Sequence, residues 1–117
     1  MKLVQPPKIR SSSYANELAL FFTGSSVGGT SDWQSHLYQR ISNEIEPQLD
    51  SHIVVYDPRC PADQTIDVAD QIEWELSRIA RADLVVYVFD PTTKETDSLL
   101  HLGLMLADPD GPTLMVL

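Results

Sequence analysis

The side chains able to do chemistry fall in a few short clusters. Thr23-Gly24-Ser25-Ser26, followed by Gly28-Gly29, offers backbone N–H groups that suit an anion or a sugar hydroxyl. This loop matches neither the Walker A pattern nor the spaced glycines of the dinucleotide fingerprint, and it reads equally well as a flexible turn. Asp57-Pro58-Arg59 adds a guanidinium able to hold one small anion. Gln71, Trp74 and Glu75 stand three or four residues apart and share one helical face. That face could meet a base, although spacing alone favours Trp74 in the core with Gln71 and Glu75 toward solvent. His101 carries an imidazole, often neutral near pH 7. It could activate water, touch a ligand or be structural. Glu95 and Asp97 are read as a solvated side chain and a helix cap. The single cysteine, Cys60, has no partner for an internal disulfide or a zinc site, and is read first as a small loop or core residue.

These groups need elements to position them. The apolar runs 18–22, 52–56 and 84–89 are each short, continuous and closed by turn residues, the pattern of strands buried on both faces. A fourth strand is expected in the closing PTLMVL. Ser31 and Asp32 are N-cap candidates for a helix with apolar residues at Trp33, Leu37, Ile41, Ile45 and Leu49, which Pro47 ends or bends. Ile66, Ala69, Ile72, Leu76, Ile79 and Ala80 mark a second helix, with Asp67 and Asp70 near its positive end. A third is expected over 98–107, broken by Pro109, Asp110 and Gly111. Such alternation predicts a doubly wound parallel α/β sheet of four to five strands, a flavodoxin-like or Rossmann-like three-layer sandwich. Ligands bind there at the carboxyl ends of the strands, which singles out the loops 23–32, 57–65 and 90–98. A pocket lined by Gly24, Ser25, Asp57, Arg59, Asp90 and His101 is expected. Residues 1–17, with Pro6-Pro7 and a serine run, read as a leader strapped to the surface or flexible, and 18–117 as the domain.

Seventeen acidic against eight basic side chains give a net charge of −9 over 117 residues. That charge repels a phosphate backbone and an anionic membrane surface, which argues against a nucleic acid polymer or a membrane as partner. It leaves room for one nucleotide held locally. No apolar run approaches the ~20 residues of a membrane span, and the N-terminus lacks the apolar centre of a secretory signal, so a cytoplasmic protein is expected.

The stretch QIEWELSRIARADLVVYVFDPTTKETDSLLHLGLMLA resembles the nucleoside 2-deoxyribosyltransferase family, in a branch with Q-x-x-W-E, a following A-D and hydrophobic strand, a T-K loop and S-L-L-E-L-G. FFTGSS with Asp32-Trp33-Gln34, and Tyr56-Asp57-Pro58-Arg59, resemble that branch's A-G-S…W-Q and N-P-R motifs in the same order. The resemblance implies cleavage of an N-glycosidic bond, with transfer of the sugar or hydrolysis. It uses a carboxylate that meets the charge developing on the sugar and bonds its anomeric carbon. It also implies a homo-oligomer, and residues beyond the last strand that complete a neighbouring subunit's pocket. Cofactor and metal are not called for. The family's nucleophilic Glu falls at His101 here, so activity is expected to be impaired. Candidate substrate-binding residues are Gly24, Ser25, Trp33, Asp57, Arg59, Trp74 and Asp90. The alternative is a non-catalytic acidic interaction or inhibitor protein that kept the fold and binds a protein partner.

Overall fold

The computed structural model describes residues 1–8, 16–24, 32–59, 65–88, 103, 106–107, 110–111 and 113–116. Its five strands are β1 (Lys2–Val4), β2 (Glu17–Gly24), β3 (His52–Tyr56), β4 (Leu84–Val88) and β5 (Thr113–Val116), with helices α1 (Trp33–Arg40) and α2 (Val68–Arg81) between them. The strands form one sheet in the order β1-β3-β2-β4-β5, every pair parallel. The doubly wound α/β class is therefore the one observed. The chain leaves β2 toward β3 on one side, then crosses β2 to reach β4 on the other, so the strand order reverses between β2 and β4.

Alternate residues face opposite sides, as the two-residue period of a strand requires. Phe21, Val54, Tyr56 and Val85 pack with Trp74 of α2. Leu20, Phe22, Ile53, Val55 and Val86 pack with Ile41 and, at its edge, with Trp33, Leu37 and Tyr38 of α1. Each fully buried Val, Ile or Phe contributes roughly 1.5–3 kcal/mol.

Residues 1–8 hold a strand that composition did not reveal. Lys2, Leu3 and Val4 pair with Val54, Val55 and Tyr56, making β1 the sheet's edge. Three residues are too few to show a hydrophobic period. The prolines behave as their chemistry requires, because strand structure stops before Pro6 and Pro7.

Both helices depart from their expected faces. Apolar residues four apart advance about 40° per step around a helix. Trp33, Leu37 and Ile41 reach the core, whereas Ile45 and Leu49 are exposed. The α-helix ends at Arg40, continues as a π-helical turn over Ile41–Ile45 and tightens to a 3₁₀ turn over Glu46–Gln48. Pro47, with no N–H to donate back along the helix, accounts for the break. In α2 the correction is larger. Ile72 and Leu76 are 49% and 58% exposed, while Trp74 and Arg78 are buried. Trp74 lies about 200° around the helix from Ile72, so the sheet receives the side bearing Trp74 and Arg78, and of the expected apolar stripe Ile79 packs against that core while Ile72 and Leu76 face outward.

Asp83 sets β4 beside β2 at the amino ends of the strands. Its N–H donates to the Ala19 carbonyl at 2.8 Å, and its carboxylate accepts the Ala19 N–H at 2.8 Å. At the opposite ends, Gly24 pairs with Val88 at φ +123°, and a Cβ there would stand 2.1 Å from the Val88 carbonyl oxygen. Neither the conformation nor the gap admits a side chain. Gly24→Ala is expected to cost more than about 3 kcal/mol of stability, read by urea denaturation. Near-normal stability would refute this account of the closure between β2 and β4.

Candidate functional site

The carboxyl end of β3 carries the best-defined polar cluster. Strand alternation turns Tyr56 toward α2 and Asp57 toward α1, where the Asp57 carboxylate is completely buried. An isolated carboxylate there would be strongly unfavourable, and Arg59 meets it through a fork. Arg59 Nε lies 3.2 and 3.0 Å from the two Asp57 oxygens, and its Nη2 lies 2.8 Å from Oδ2. The Arg59 backbone N–H donates to Oδ1 at 3.0 Å, and the Gln5 side-chain amide donates to Oδ2 at 3.2 Å. The Asp57 N–H in turn donates to the Val4 carbonyl, tying β1 into the cluster.

The remaining arm of Arg59 reaches across to α1. Nη1 donates to Asp32 Oδ1 at 2.7 Å, and the same oxygen caps α1 by accepting the Ser35 N–H at 3.3 Å. Hydrogen bonds from Ser35 first, and then Arg59, hold the Asp32 carboxyl below its usual range. Bonding to Asp57, and after it to Asp32, raises the Arg59 guanidinium above its ordinary value against the opposing effect of burial. Two carboxylates thus share one guanidinium, joining the loop after β3 to the start of α1.

The turn is also held from the α2 side. The Gln71 side-chain amide donates to the Pro58 carbonyl at 2.8 Å. The Trp74 indole N–H donates to the Lys8 carbonyl at 2.8 Å, and the ring packs on Phe21 and Tyr56, each 6.3 Å away between centroids. Trp74 is 6% exposed. Trp33 packs on Phe22 at 5.8 Å, on the opposite face of the sheet.

Beneath α1, Leu3, Gln34, Ser35, Tyr38, Gln39, Asp57 and Arg59 line a cavity of about 220 Å³. Gln34 is 5% exposed, and its side-chain amide meets no hydrogen-bond partner among the described residues. A buried primary amide with two donors and an acceptor is costly unless something satisfies it. Sequence reading did not place Gln34 among the site residues. Its position after Asp32-Trp33 was the available signal, but polarity at a helix start reads as exposure until the fold turns it inward.

The structure therefore brings Asp57, Arg59 and Gln34 together and places Gly24 at the strand-order reversal. It sets Trp33 and Trp74 on opposite faces of the sheet. Ser25, Asp90 and His101 lie outside the described residues, as do Cys60, Glu95, Asp97 and most of the expected third helix, of which Gly103, Leu106 and Ala107 are helical. Among the described residues no group of three His, Cys, Asp or Glu side chains could hold a metal ion, and no helix is long and apolar enough to cross a membrane.

A parallel sheet whose strand order reverses once, with helices between its strands, defines the doubly wound class of α/β domain. Within that class the chain belongs to a particular family: residues 17–117 match the family model described as nucleoside 2-deoxyribosyltransferase like. No curated protein matches the chain.

The Asp32 carboxyl, held low by Ser35 and then by Arg59, has a definite pH signature. A carboxyl held low in the folded state adds stability that is fully present above its unfolded value, 3.8, and is lost as pH falls through the folded value. Asp32→Asn keeps the helix cap and removes the charge. Its stability deficit should be constant through neutral pH and close only below 3.8, followed by urea denaturation across that range. A deficit unchanged in strong acid would refute the charge assignment.

Proposed function

We propose that this chain binds a nucleoside or nucleotide at the carboxyl ends of β2, β3 and β4 and acts on, or senses, its N-glycosidic unit. The observation that carries this reading is the family match across 17–117. In it Gly24, Ser25, Asp57, Arg59 and Asp90 line the pocket, Trp33 borders it and His101 occupies the position of the family's nucleophile, whereas Trp74, named with them from the sequence, packs on the opposite face of the sheet.

Charge decides between ligand states. Arg59 is already shared between Asp57 and Asp32, so the cluster carries one more negative than positive charge. A dianionic phosphate meets net repulsion there, whereas a neutral nucleoside needs only hydrogen bonds of the kind the buried Gln34 amide can give. The reading accordingly favours the nucleoside over its monophosphate.

Impaired catalysis follows from His101. An imidazole cannot supply both the negative charge and the covalent bond that a carboxylate gives the anomeric carbon. Incubation with a panel of nucleosides and nucleoside monophosphates, read by release of free base, is expected to give weak binding and negligible turnover. His101→Glu should restore measurable cleavage, since loss of a nucleophile costs several orders of magnitude in rate. Efficient base release by the wild type would overturn the impaired-site reading. Failure of both proteins to bind any nucleoside would favour the non-catalytic interaction protein instead.

A specific observation also supports self-association. Val68, Ile72 and Leu76 recur every four residues along α2 and are 75%, 49% and 58% exposed, an apolar stripe suited to the same stripe on a second copy. Leu76→Glu should lower the molecular mass measured by sedimentation at micromolar concentration without unfolding the protein. A wild type already monomeric there would refute the homo-oligomer.

A further inference from the structure

On the α2 face of the sheet a second cavity, of about 640 Å³, is lined by Pro7, Thr65, Ile66, Asp67, Asp70, Glu73, Trp74, Ser77 and Arg78. Its most demanding group is Arg78, only 5% exposed. The guanidinium carbon stands 5.5 Å from the centre of the Tyr56 ring. Nε donates a long bond of 3.3 Å to Ser77 Oγ, whose own hydroxyl donates to the Trp74 carbonyl at 2.9 Å. No carboxylate among the described residues pairs with Arg78. The two terminal nitrogens carry four N–H donors with no protein acceptor among those residues. A buried guanidinium is ordinarily paired or fully hydrogen-bonded, and Arg78 lines the cavity.

We propose that this cavity binds a small monocarboxylate with an apolar or aromatic body. A carboxylate matches the guanidinium fork in charge and plane and takes two parallel N–H···O bonds. The body of the ligand lies against Pro7, Ile66 and Trp74. Asp67, Asp70 and Glu73 set the charge limit. Asp67 caps α2 by accepting the Asp70 N–H at 2.8 Å and keeps its charge there, so the three carboxylates give the exposed rim three negative charges. One buried positive charge facing that rim suits a monoanion and disfavours a dianion such as phosphate. The site lies across the sheet from the Asp57–Arg59–Gln34 cluster and does not depend on the nucleoside reading.

Calorimetric titration with 3-phenylpropanoate tests this on the full chain. The expected result is saturable binding that weakens at least about tenfold in Arg78→Gln, the usual loss for a charge-assisted pair. Glu73→Gln, an exposed change that leaves the fold intact, should tighten binding about twofold, and it keeps the test decisive should Arg78→Gln fail to fold. Phenethylamine, which has the same body and the opposite charge, should not bind, and inorganic phosphate should bind at least about tenfold more weakly. Absence of 3-phenylpropanoate binding at millimolar concentration overturns the proposal, as does equal binding of phenethylamine or phosphate. Saturating 2′-deoxyadenosine should leave the titration unchanged, and displacement by it would overturn a separate site. Failure of every nucleoside in the panel to bind refutes the nucleoside reading while leaving this one standing.

Discussion

The buried carboxylate of Asp57 is the constraint around which the carboxyl end of the sheet is organised. A charge with no exposed surface must find its counter-charge within the protein, and the chain supplies it two residues later. Because the Arg59 guanidinium is planar and rigid, satisfying Asp57 fixes where its third nitrogen points. That nitrogen meets Asp32, the cap of α1. One electrostatic requirement thus aligns β1, β3 and α1, with Gln5 and the Val4 carbonyl closing the remaining bonds. The Arg59 turn is then pinned from the far side by Gln71. Nearly every polar residue of the Asp57 cluster serves first to hold another in place.

The two faces of the sheet have divided the labour. Among the described residues the α1 face carries a cavity of about 220 Å³ beside the ion cluster. The α2 face presents a broader cavity because α2 lays Trp74 and Arg78 on the sheet in place of its aliphatic stripe. A helix that turns aliphatic side chains outward and a guanidinium inward gives up hydrophobic burial. Such an exchange makes physical sense where the outward stripe meets another surface and the inward charge meets a ligand. At the reversal in strand order, Gly24 lets the β2 and β4 backbones close to a distance that no other residue type allows.

Motifs that carry the family resemblance turn out to be largely architectural where the structure describes them. Q-x-x-W-E supplies Gln71 to the Pro58 carbonyl and Trp74 to the core and the Lys8 carbonyl. The A-D pair sets β2 against β4 at the end of the sheet remote from the site. N-P-R is represented by Asp57-Pro58-Arg59, where an acid replaces the family's amide and brings an ion pair with it. These residues act first by placing backbone segments; among the described ones Arg59 and Gln34 also line the cavity beneath α1, and Trp74 the cavity on the α2 face.

Continuous apolar runs in 18–22, 52–56 and 84–89, with polar loops and periodic helices between them, were sufficient to determine a parallel doubly wound sheet, because strands buried on both faces and joined by crossovers admit few other arrangements. The carboxyl ends of β2, β3 and β4 were determined with it. Three things waited for tertiary structure. Strand β1 is too short to carry a period and exists because β3 offers an open edge. The orientation of α2 follows the fit of Trp74 between Phe21 and Tyr56, a matter of shape that a hydrophobic period cannot register. The burial of Gln34 and Arg78 depends on what stands opposite them, and neither a residue's type nor its spacing along the chain encodes its neighbours across the fold.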